Sequence, residues 1–372
     1  EIYDAEKYRK SQNYLKVKQR FSLIVSSFSF IAMILMLVLG GFAYLDGIVR
    51  SVTTHPILMA MLYFGILGLL ADILSTPFSI YSTFVIEEHF GFNKTTTRTF
   101  ILDKLKGLVL AIIIGGGLLA LIIWIYTSTG QWFWLIAWAS VSIFMVFMTM
   151  FYSNFIVPLY NKQEPLEEGS LREEIESYSL KVKFRLKNIF VLDGSRRSSK
   201  ANAYFAGLGR KKRIVLYDTL IKDLQINELV AVLAHEVGHY KKRHTLIGMV
   251  LSIAQTGVMF YVLSLFLKYP ELSQALGAEQ ASFHLGVIAF GLLYSPLSFV
   301  IGIFMNVMSR KHEYEADRFA GTTDDPVALG SALKKLSVNN LSNLRPHPAY
   351  VFFHYSHPPV LKRLEALKGI ND

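Results

Sequence analysis

Six long apolar segments constrain this chain more than any other feature of its sequence. They cover, approximately, residues 21–48, 57–85, 108–125, 132–157, 246–267 and 283–307. A helix of about 20 apolar residues crosses the hydrocarbon core of a bilayer, and each segment is close to that length or exceeds it. The chain is therefore predicted to cross a membrane six times.

The composition and the charge distribution agree with an integral membrane protein. Hydrophobic residues make up 52% of the chain and charged residues only 18%, whereas soluble domains usually carry about 25% charged residues. The formal net charge is +10, but Arg50 and Lys268 are the only basic residues in the stretches 21–87, 107–161 and 245–309. Basic residues thus collect in the connections on one side of the membrane, which is the positive-inside pattern. A nucleic-acid partner is not expected, because no reading motif accompanies the positive charge.

Several residues within the spans are expected to shape the helices. Asp72 and Pro77 are expected to interrupt the second span, and Pro296 to break the sixth. An acidic residue at that depth should face protein or water, and for Asp72 a helix–helix hydrogen bond is favoured over a catalytic role. Residues 115–117 are three glycines, which allow helices to approach closely.

The chain becomes polar and basic between the fourth and fifth spans. Residues 171–180 are predicted to form an amphipathic helix. Three short apolar runs, at residues 189–192, 203–205 and 213–217, are predicted to be strands of a small sheet. A soluble α+β lobe is therefore expected between the membrane helices.

The segment that follows, residues 231–240, contains the pattern His-Glu-x-x-His. Residues four apart lie on one face of a helix, so His235 and His239 can direct imidazole nitrogens to one metal ion. A helix is expected here, with Asn227 as N-cap and Glu228 at its positive end. Neutral nitrogen ligands suit Zn²⁺, and Glu236 could accept the proton of an attacking water. The alternative is a chance match on an amphipathic helix.

A third ligand is expected after the sixth span, and the absence of cysteine restricts it to His, Asp or Glu. The candidates are His312, Glu313, Glu315 and Asp317. Glu313 and Asp317 share a helix face, whereas Glu315 points about 200° away from Glu313. This favours Glu313 as a zinc ligand and Asp317 as the acceptor of a hydrogen bond from a ligating histidine. On spacing alone, a solvated helix end is an equally good interpretation of Glu313.

The C-terminal tail contains the motif His354-Tyr-Ser-His-Pro-Pro359, between helices predicted at residues 326–336 and 359–368. His357, followed by two prolines, could donate a hydrogen bond to an oxyanion. It could equally cap the start of a helix.

Taken together, these motifs resemble those of the CAAX prenyl protease 1 family of membrane zinc metallopeptidases, and the resemblance covers nearly the whole chain. The likeness rests on several motifs in the same order, at residues 84–88, 91–93, 202–205, 212–216, 218–220, 235–239, 309–310, 313, 316–317 and 354–359. The resemblance implies zinc on His235, His239 and Glu313, with Glu236 as the base. It also implies that His357 stabilises the oxyanion, and that Asn202 lies on an edge strand to which the substrate adds as an extended strand.

Two departures from the family accompany this resemblance. Family members typically have one more hydrophobic helix before the segment that begins here at residue 1, so a seventh span is expected ahead of it. Eukaryotic forms often carry a polar insertion before the zinc helix, whereas residues 218–227 are short. The short loop and the lack of cysteine favour a prokaryotic member, whose physiological substrate need not be prenylated.

The predicted fold class is mainly α: a polytopic transmembrane helical bundle that encloses a zincin-like site, with a small α+β soluble lobe. Residues 1–158 would form four spans, 159–226 the lobe, 227–320 the zinc-site helices and two further spans, and 321–372 a soluble tail that contributes to the active site.

The predicted function is an integral membrane zinc endopeptidase that cleaves peptides near the C-terminus and holds one Zn²⁺ per chain. Prenylated CAAX-type peptides are the substrates that the resemblance implies. The site is expected on the cytoplasmic side, of a bacterial inner membrane or of the endoplasmic reticulum. One alternative is quality control, with the same chemistry applied to unprenylated membrane proteins. Another is a non-catalytic scaffold with a structural zinc, against which the intact Glu236 argues.

Overall fold

The computed structural model of the protein describes residues 2–184, 189–207 and 213–370. Residues 1, 212 and 372, which bound segments named above, lie outside this part of the chain. The N-terminal half of the described chain contains helices α1 (Ala5–Val38), α2 (Gly41–Val52), α3 (Pro56–Tyr81), α4 (Thr97–Leu110), α5 (Gly117–Thr129), α6 (Phe133–Phe155) and α7 (Val157–Tyr160). The lobe and the helices after it are α8 (Ser170–Lys181), α9 (Asp218–Asp223), α10 (Ile226–Lys241), α11 (His244–Phe266), α12 (Glu271–Gln274) and α13 (Phe283–Thr323). The tail contains α14 (Pro326–Asn339), α15 (Pro348–His354) and α16 (Val360–Lys368).

Within the described residues, five helical stretches are long and apolar enough to cross a membrane: Ala5–Val38, Pro56–Glu87, Thr97–Tyr160, His244–Phe266 and Phe283–Thr323. The third stretch has 64 residues and contains both the third and the fourth predicted spans. Gly130, in a left-handed conformation with φ 53°, ends α5 and allows the chain to reverse. Large apolar side chains such as Phe30, Ile112 and Ile143 are exposed, as expected of surfaces that face lipid.

The prediction of one continuous first span to residue 48 is wrong. Helix α1 ends at Val38, and α2 begins at Gly41 after a left-handed Gly40 with φ 65°. Only glycine adopts this backbone conformation without steric cost, so the break falls where the sequence has two adjacent glycines.

The expected interruptions by proline are also wrong. Helix α3 continues through Pro77 to Tyr81 and passes into a π-helical segment, Ser82–Glu87. Helix α13 continues through Pro296 for 41 residues. Proline is tolerated in membrane helices because neighbouring groups satisfy the backbone atoms that it leaves free. Asp72 accepts a hydrogen bond from Lys104 Nζ at 2.8 Å, which links α3 to α4 as the helix–helix interpretation expected.

The lobe contains a four-stranded sheet of β1 (Gln163–Pro165), β2 (Ile189–Leu192), β3 (Ala203–Ala206) and β4 (Arg213–Tyr217). Its strand order is β1-β2-β4-β3; β2 and β4 are parallel and the other pairs antiparallel. The three predicted strands are present. Strand β1 was not predicted because it is polar and ends in a proline, a residue confined to sheet edges. Among the described strands, β3 lies at the opposite edge of the sheet, and only β4 pairs with it.

Helix α10 lies at the centre of the largest hydrophobic core, among α8, α13, α14 and β4. Leu229, Leu233 and Val237 are almost completely buried there. The predicted N-cap at Asn227 is wrong. Gln225 caps the helix and its backbone N–H donates to the Glu228 side chain at 2.8 Å, which completes a capping box. The N-cap therefore lies two residues earlier than the predicted Asn227.

The far end of the membrane region has its own buried charged cluster. His284, in the first turn of α13, lies 2.6 Å from Asp46 Oδ1 in α2. Arg50 donates to the other oxygen of Asp46 at 2.7 Å, and the ring of Tyr63 packs on His284 with centroids 4.2 Å apart. Asp46 and His284 are both buried. These contacts fix the start of α13 against α2 and α3.

Candidate active site

Three side chains from two helices converge at one point. His235 and His239, on one face of α10, have Nε2 atoms 3.1 Å apart. Glu313 of α13 places Oε2 3.6 Å from His235 Nε2 and Oε1 3.3 Å from His239 Nε2. Each residue thus offers one ligand atom, and these atoms lie within 4.8 Å of one another.

The residues fit a metal ion. Glu313 is buried, and its Oε2 has no hydrogen-bond partner. Arg363 lies 3.4 Å from this oxygen but does not donate a hydrogen bond to it, so a cation bound here would supply the direct contact that the buried carboxylate lacks. Two imidazoles and one carboxylate are also a donor set found in catalytic zinc sites of peptidases.

The two helices approach closely because of Gly238. A Cβ atom at this position would lie 3.1 Å from the Cα and carbonyl oxygen of Ala316 and 3.2 Å from Phe319 Cβ. Ala316 is itself fully buried. A glycine on α10 opposite an alanine on α13 therefore allows Glu313 to reach the two imidazoles.

A carboxylate and a guanidinium hold the first histidine. His235 Nδ1 lies 2.9 Å from Asp317 Oδ1, so the ring can donate to this carboxylate and leave Nε2 free as a ligand. Arg363 of α16 donates to both oxygens of Asp317, at 2.6 and 2.7 Å, and lies 3.4 Å from Glu313 Oε2. The tail of the chain is thus joined directly to the site.

A different set of residues holds the second histidine. His239 Nδ1 lies 3.0 Å from His244 Nδ1, and His244 Nε2 lies 3.0 Å from Glu315 Oε2. The ring of His312 stacks on His244 with centroids 4.0 Å apart and an 8° angle between the planes. If His239 Nε2 is a ligand, its Nδ1–H donates to His244, which in turn donates to Glu315. We refer to His239, His244 and Glu315 as the histidine relay.

Glu236 lines the same cavity as His235, His239 and Glu313. Burial raises the pKa of its carboxyl above the ordinary value; the two imidazoles oppose this rise and the Glu313 carboxylate adds to it. A carboxyl group whose pKa is raised towards neutrality is a better proton acceptor at physiological pH.

His357 stands at the mouth of this cavity, where its side chain is 66% exposed. Its Nε2 lies 3.4 Å from Glu313 Oε1, and its Nδ1 lies 3.0 Å from Ser356 Oγ. If the serine hydroxyl donates to Nδ1, the proton of the neutral ring is on Nε2. The exposed position leaves this N–H accessible to a bound molecule.

The cavity has a volume of about 640 Å³, and we call it the site cavity. Besides His235, His239 and Glu313, which we call the metal-ligand set, and Glu236, its lining includes Ala201, Asn202 and Ala203. Ala203 is the first residue of the edge strand β3, so Asn202 lies immediately before this strand and not on it as predicted. The Asn202 side chain accepts a hydrogen bond from the N–H of Ala203 at 2.9 Å. The structure therefore brings all the predicted site residues to one region, with Asp317 behind the imidazoles and Asn202 on the wall.

Two residues of this region were missed by the sequence analysis. Arg363 lies in a tail helix whose sequence shows only an amphipathic pattern. His244 is five positions after His239. On a continuous helix, side chains five residues apart point about 140° away from each other. The left-handed Arg243, with φ 60°, separates α10 from α11 and brings the two rings together. The only feature of the sequence that pointed to His244 was its position shortly after the His-Glu-x-x-His motif.

Comparisons with known proteins identify the family of the chain. The family described as "CAAX prenyl protease N-terminal, five membrane helices" matches residues 1–162, and "Peptidase family M48" matches residues 165–371. The CAAX prenyl protease 1 of Saccharomyces cerevisiae is 33% identical over 396 residues, which cover 99% of this chain and 87% of that protein. The Arabidopsis thaliana homolog is 41% identical over 300 residues, 80% of this chain and 71% of that protein.

A solved structure is similar over almost the whole chain. The crystal structure of S. mikatae Ste24p superposes with a TM-score of 0.94 at 32% identity, and the match covers 99% of this chain and 90% of that one. Its similarity extends through both the membrane helices and the lobe. Since one peptidase family matches more than half of the chain and full-length relatives exceed 30% identity, this chain belongs to the CAAX prenyl protease 1 family, and it is a multi-pass membrane metallopeptidase.

Proposed function

We propose that the protein cleaves peptide bonds near the C-terminus of prenylated, CAAX-type substrates, with one Zn²⁺ held by His235, His239 and Glu313. The observation that carries this proposal is the convergence of three ligand atoms within 4.8 Å on the wall of a cavity that also contains Glu236. The names of the relatives support the substrate class.

The chain's own residues handle the proton and the charge. Zinc in such a donor set supplies Lewis-acid polarisation of a carbonyl and lowers the pKa of water to about 7. Glu236 accepts the proton of the attacking water and delivers it to the leaving amine. His357 donates from Nε2 to the carbonyl oxygen as negative charge develops on it. Asp317 and the histidine relay keep the two imidazoles in the required tautomers.

The unpaired side of β3 binds the substrate. An extended peptide can add to a free sheet edge through backbone hydrogen bonds. Residues 201–203 line the site cavity at the start of this strand, so a peptide paired with β3 passes the metal-ligand set. The Asn202 side chain is available there to bind the peptide backbone.

The chemistry is tested by metal analysis and by one conservative substitution. Purified protein should contain about one zinc per chain, and Glu236→Gln should lower the hydrolysis rate by at least about a thousandfold while the metal is retained. The control is Glu365→Gln, an exposed carboxylate on α16, which should leave both quantities unchanged. Unaltered turnover in Glu236→Gln would refute the mechanism.

The substrate class is tested separately with two peptides that differ only in a prenyl group. Faster cleavage of the prenylated peptide would support CAAX processing. Equal rates would favour the alternative, a protease of unprenylated membrane proteins, with the same catalytic residues.

We place the active site on the cytoplasmic side because the basic connections of the chain share that side with the lobe. The chain has no cysteine, so a single introduced cysteine can be labelled without background. Glu168 in the lobe and Ser128 in the last turn of α5 are both exposed, and each can be replaced by cysteine. In sealed vesicles of known orientation, an impermeant maleimide should label Glu168→Cys from the cytoplasmic side and Ser128→Cys from the opposite side. Labelling of both from one side would overturn this placement.

A further inference from the structure

A second cavity, of about 630 Å³, lies along the same edge strand. Tyr204, Phe205, Ala206 and Gly207 line it, whereas the three residues before them, 201–203, line the site cavity. Strand β3 and the residues on either side of it therefore run from the first cavity to the second. We call the second one the edge-strand cavity.

The opposite wall of the edge-strand cavity comes from membrane helices. Met148, Thr149 and Tyr152 near the end of α6 line it, together with Val157 of α7 and Thr245 of α11. Tyr152 is half exposed. The cavity thus lies where the lobe meets the membrane region, and a lipid-like chain can reach it from the bilayer.

The lining is mostly aromatic and aliphatic, with the uncharged polar residues Thr149, Ser153, Asn161 and Thr245. None of the described residues that line the edge-strand cavity is charged, and four of them are tyrosines. The Tyr204 hydroxyl accepts from Gln163 Nε2 at 3.4 Å, and the same amide donates to Ser153 Oγ at 3.3 Å. Because these polar atoms are paired with each other, rings and methyl groups remain to contact a ligand. The groove between α3 and α4 differs in this respect, because the Asp72–Lys104 ion pair lines it.

We propose that the edge-strand cavity binds the isoprenoid chain of the substrate while the peptide pairs with β3. This rests on the proposed function, and it assigns the lipid and the peptide to two separate cavities on one strand. A strand rises about 3.3 Å per residue, so a lipidated cysteine only a few residues along β3 from the metal-ligand set reaches the second cavity. Its volume lies within the range of about 300–1,000 Å³ that is usual for small-molecule sites.

The test fills the cavity from the α6 side. Thr149→Trp places an indole in it and removes only an intrahelical hydrogen bond, from Thr149 Oγ1 to the Met145 carbonyl. The control, Ile143→Trp, adds the same ring on α6 at a position that is 71% exposed. Thr149→Trp should raise KM for a farnesylated peptide by about tenfold or more, because the binding energy of the lipid is lost. In Ile143→Trp the kcat/KM for both peptides should stay within about twofold of the parent value, and in Thr149→Trp the loss for the farnesylated peptide should exceed the loss for the unprenylated peptide by about tenfold.

The possible results separate this proposal from the proposed function. An unchanged KM for the farnesylated peptide in Thr149→Trp overturns the assignment of the cavity. An equal loss with both peptides also overturns it, because the substitution would then act on the catalytic residues. A parent enzyme that cleaves both peptides equally well refutes prenyl recognition while leaving the peptidase chemistry intact.

A second measurement does not depend on how the variant folds. A peptide that carries a photoreactive farnesyl analogue is bound to Glu236→Gln, irradiated, and the labelled residues are identified by mass spectrometry. Labels should fall on residues 148–157 and 204–207. Labels confined to the groove between α3 and α4, or spread over exposed helix faces as a membrane lipid would give, contradict the proposal.

Discussion

His235 Nδ1 lies 2.9 Å from Asp317 Oδ1, and Arg363 holds both oxygens of that carboxylate. Asp317 of α13 and Arg363 of α16 therefore together orient the imidazole of His235 on α10. Asp317 is almost completely buried, so neither the histidine nor the guanidinium can exchange this partner for water.

Asp317→Ala should therefore weaken metal binding. Loss of an outer partner of a ligating histidine typically costs about 10–100-fold in metal affinity. Competition with a chromophoric chelator measures the change, and Glu365→Ala on α16 is the control. Unchanged affinity in Asp317→Ala would show that His235 is oriented without this carboxylate.

The histidine relay gives a parallel prediction for the second imidazole. His244→Phe keeps an aromatic ring against His312 but removes the acceptor for His239 Nδ1, and metal affinity should fall by about 10–100-fold. His244→Asn keeps an acceptor near the position of Nδ1 and should restore part of this loss. The d–d spectrum of the cobalt-substituted protein should shift in His244→Phe and not in the control His312→Phe. Equal effects of the two phenylalanine variants would contradict a role for the relay.

Gly238→Ala should disturb the site from the backbone side. The new methyl group would meet Ala316 and Phe319 at 3.1–3.2 Å, and overpacking of this kind costs about 1–3 kcal/mol. Because Glu313 and Asp317 are on the displaced helix, metal affinity should fall as well. Gly248→Ala is the matched control on α11, where nothing lies within 4 Å of the added Cβ. Thermal unfolding in detergent and chelator competition measure the two effects, and equal behaviour of both variants would exclude the proposed clash.

Glu228 should make the stability of the fold depend on pH. Burial raises the pKa of its carboxyl, but Lys335, Ser331 and the Gln225 N–H more than offset this, so the folded-state pKa is lowered. Its stabilising contribution is therefore complete above the unfolded-state pKa, about 4.3, and is lost as the pH falls through the lower folded-state pKa.

Glu228→Gln should accordingly destabilise the protein by about 1–3 kcal/mol at pH 7, because hydrogen bonds to a charged group are lost. The difference in Tm between parent and variant should shrink as the pH falls below about 4. The exposed Glu365→Gln should show no such trend. A difference that stays constant between pH 7 and pH 3.5 would contradict the assignment.

The spacing of residues in the sequence predicted the part of the site that lies within a single helix. His235 and His239 are one helical turn apart, so their common face follows from the helix itself. Long apolar runs likewise predicted the membrane helices, because length and hydropathy alone decide whether a helix can cross a bilayer. The roles of all the predicted site residues, from the metal ligands and Glu236 to His357 and Asn202, stay predictions.

The spacing of residues in the sequence does not predict contacts between elements that are distant in the chain. On spacing alone, Glu313 is equally well interpreted as a ligand or as a surface residue, and only the family resemblance favours the ligand. The reason is that its distance from His235 depends on how closely α13 approaches Gly238. Arg363 reaches the site only because the tail folds back on α13. The same limit applies to the helix breaks. Helix α13 continues through Pro296, whereas the first span breaks at Gly40, and the apolar pattern of the sequence predicts neither outcome.

Helix α13 is a single rod of 41 residues. His284 anchors one end on the far face of the membrane through Asp46, and Glu313 lies about 44 Å further along the axis at 1.5 Å per residue. The rod is therefore held at two places, at its far end through Asp46 and beside the imidazoles by the packing of Ala316 on Gly238. A change of bilayer thickness that tilts such a rod would therefore act on both contacts at once, so the anchoring at one surface of the membrane and the packing beside the carboxylate at the other are mechanically coupled.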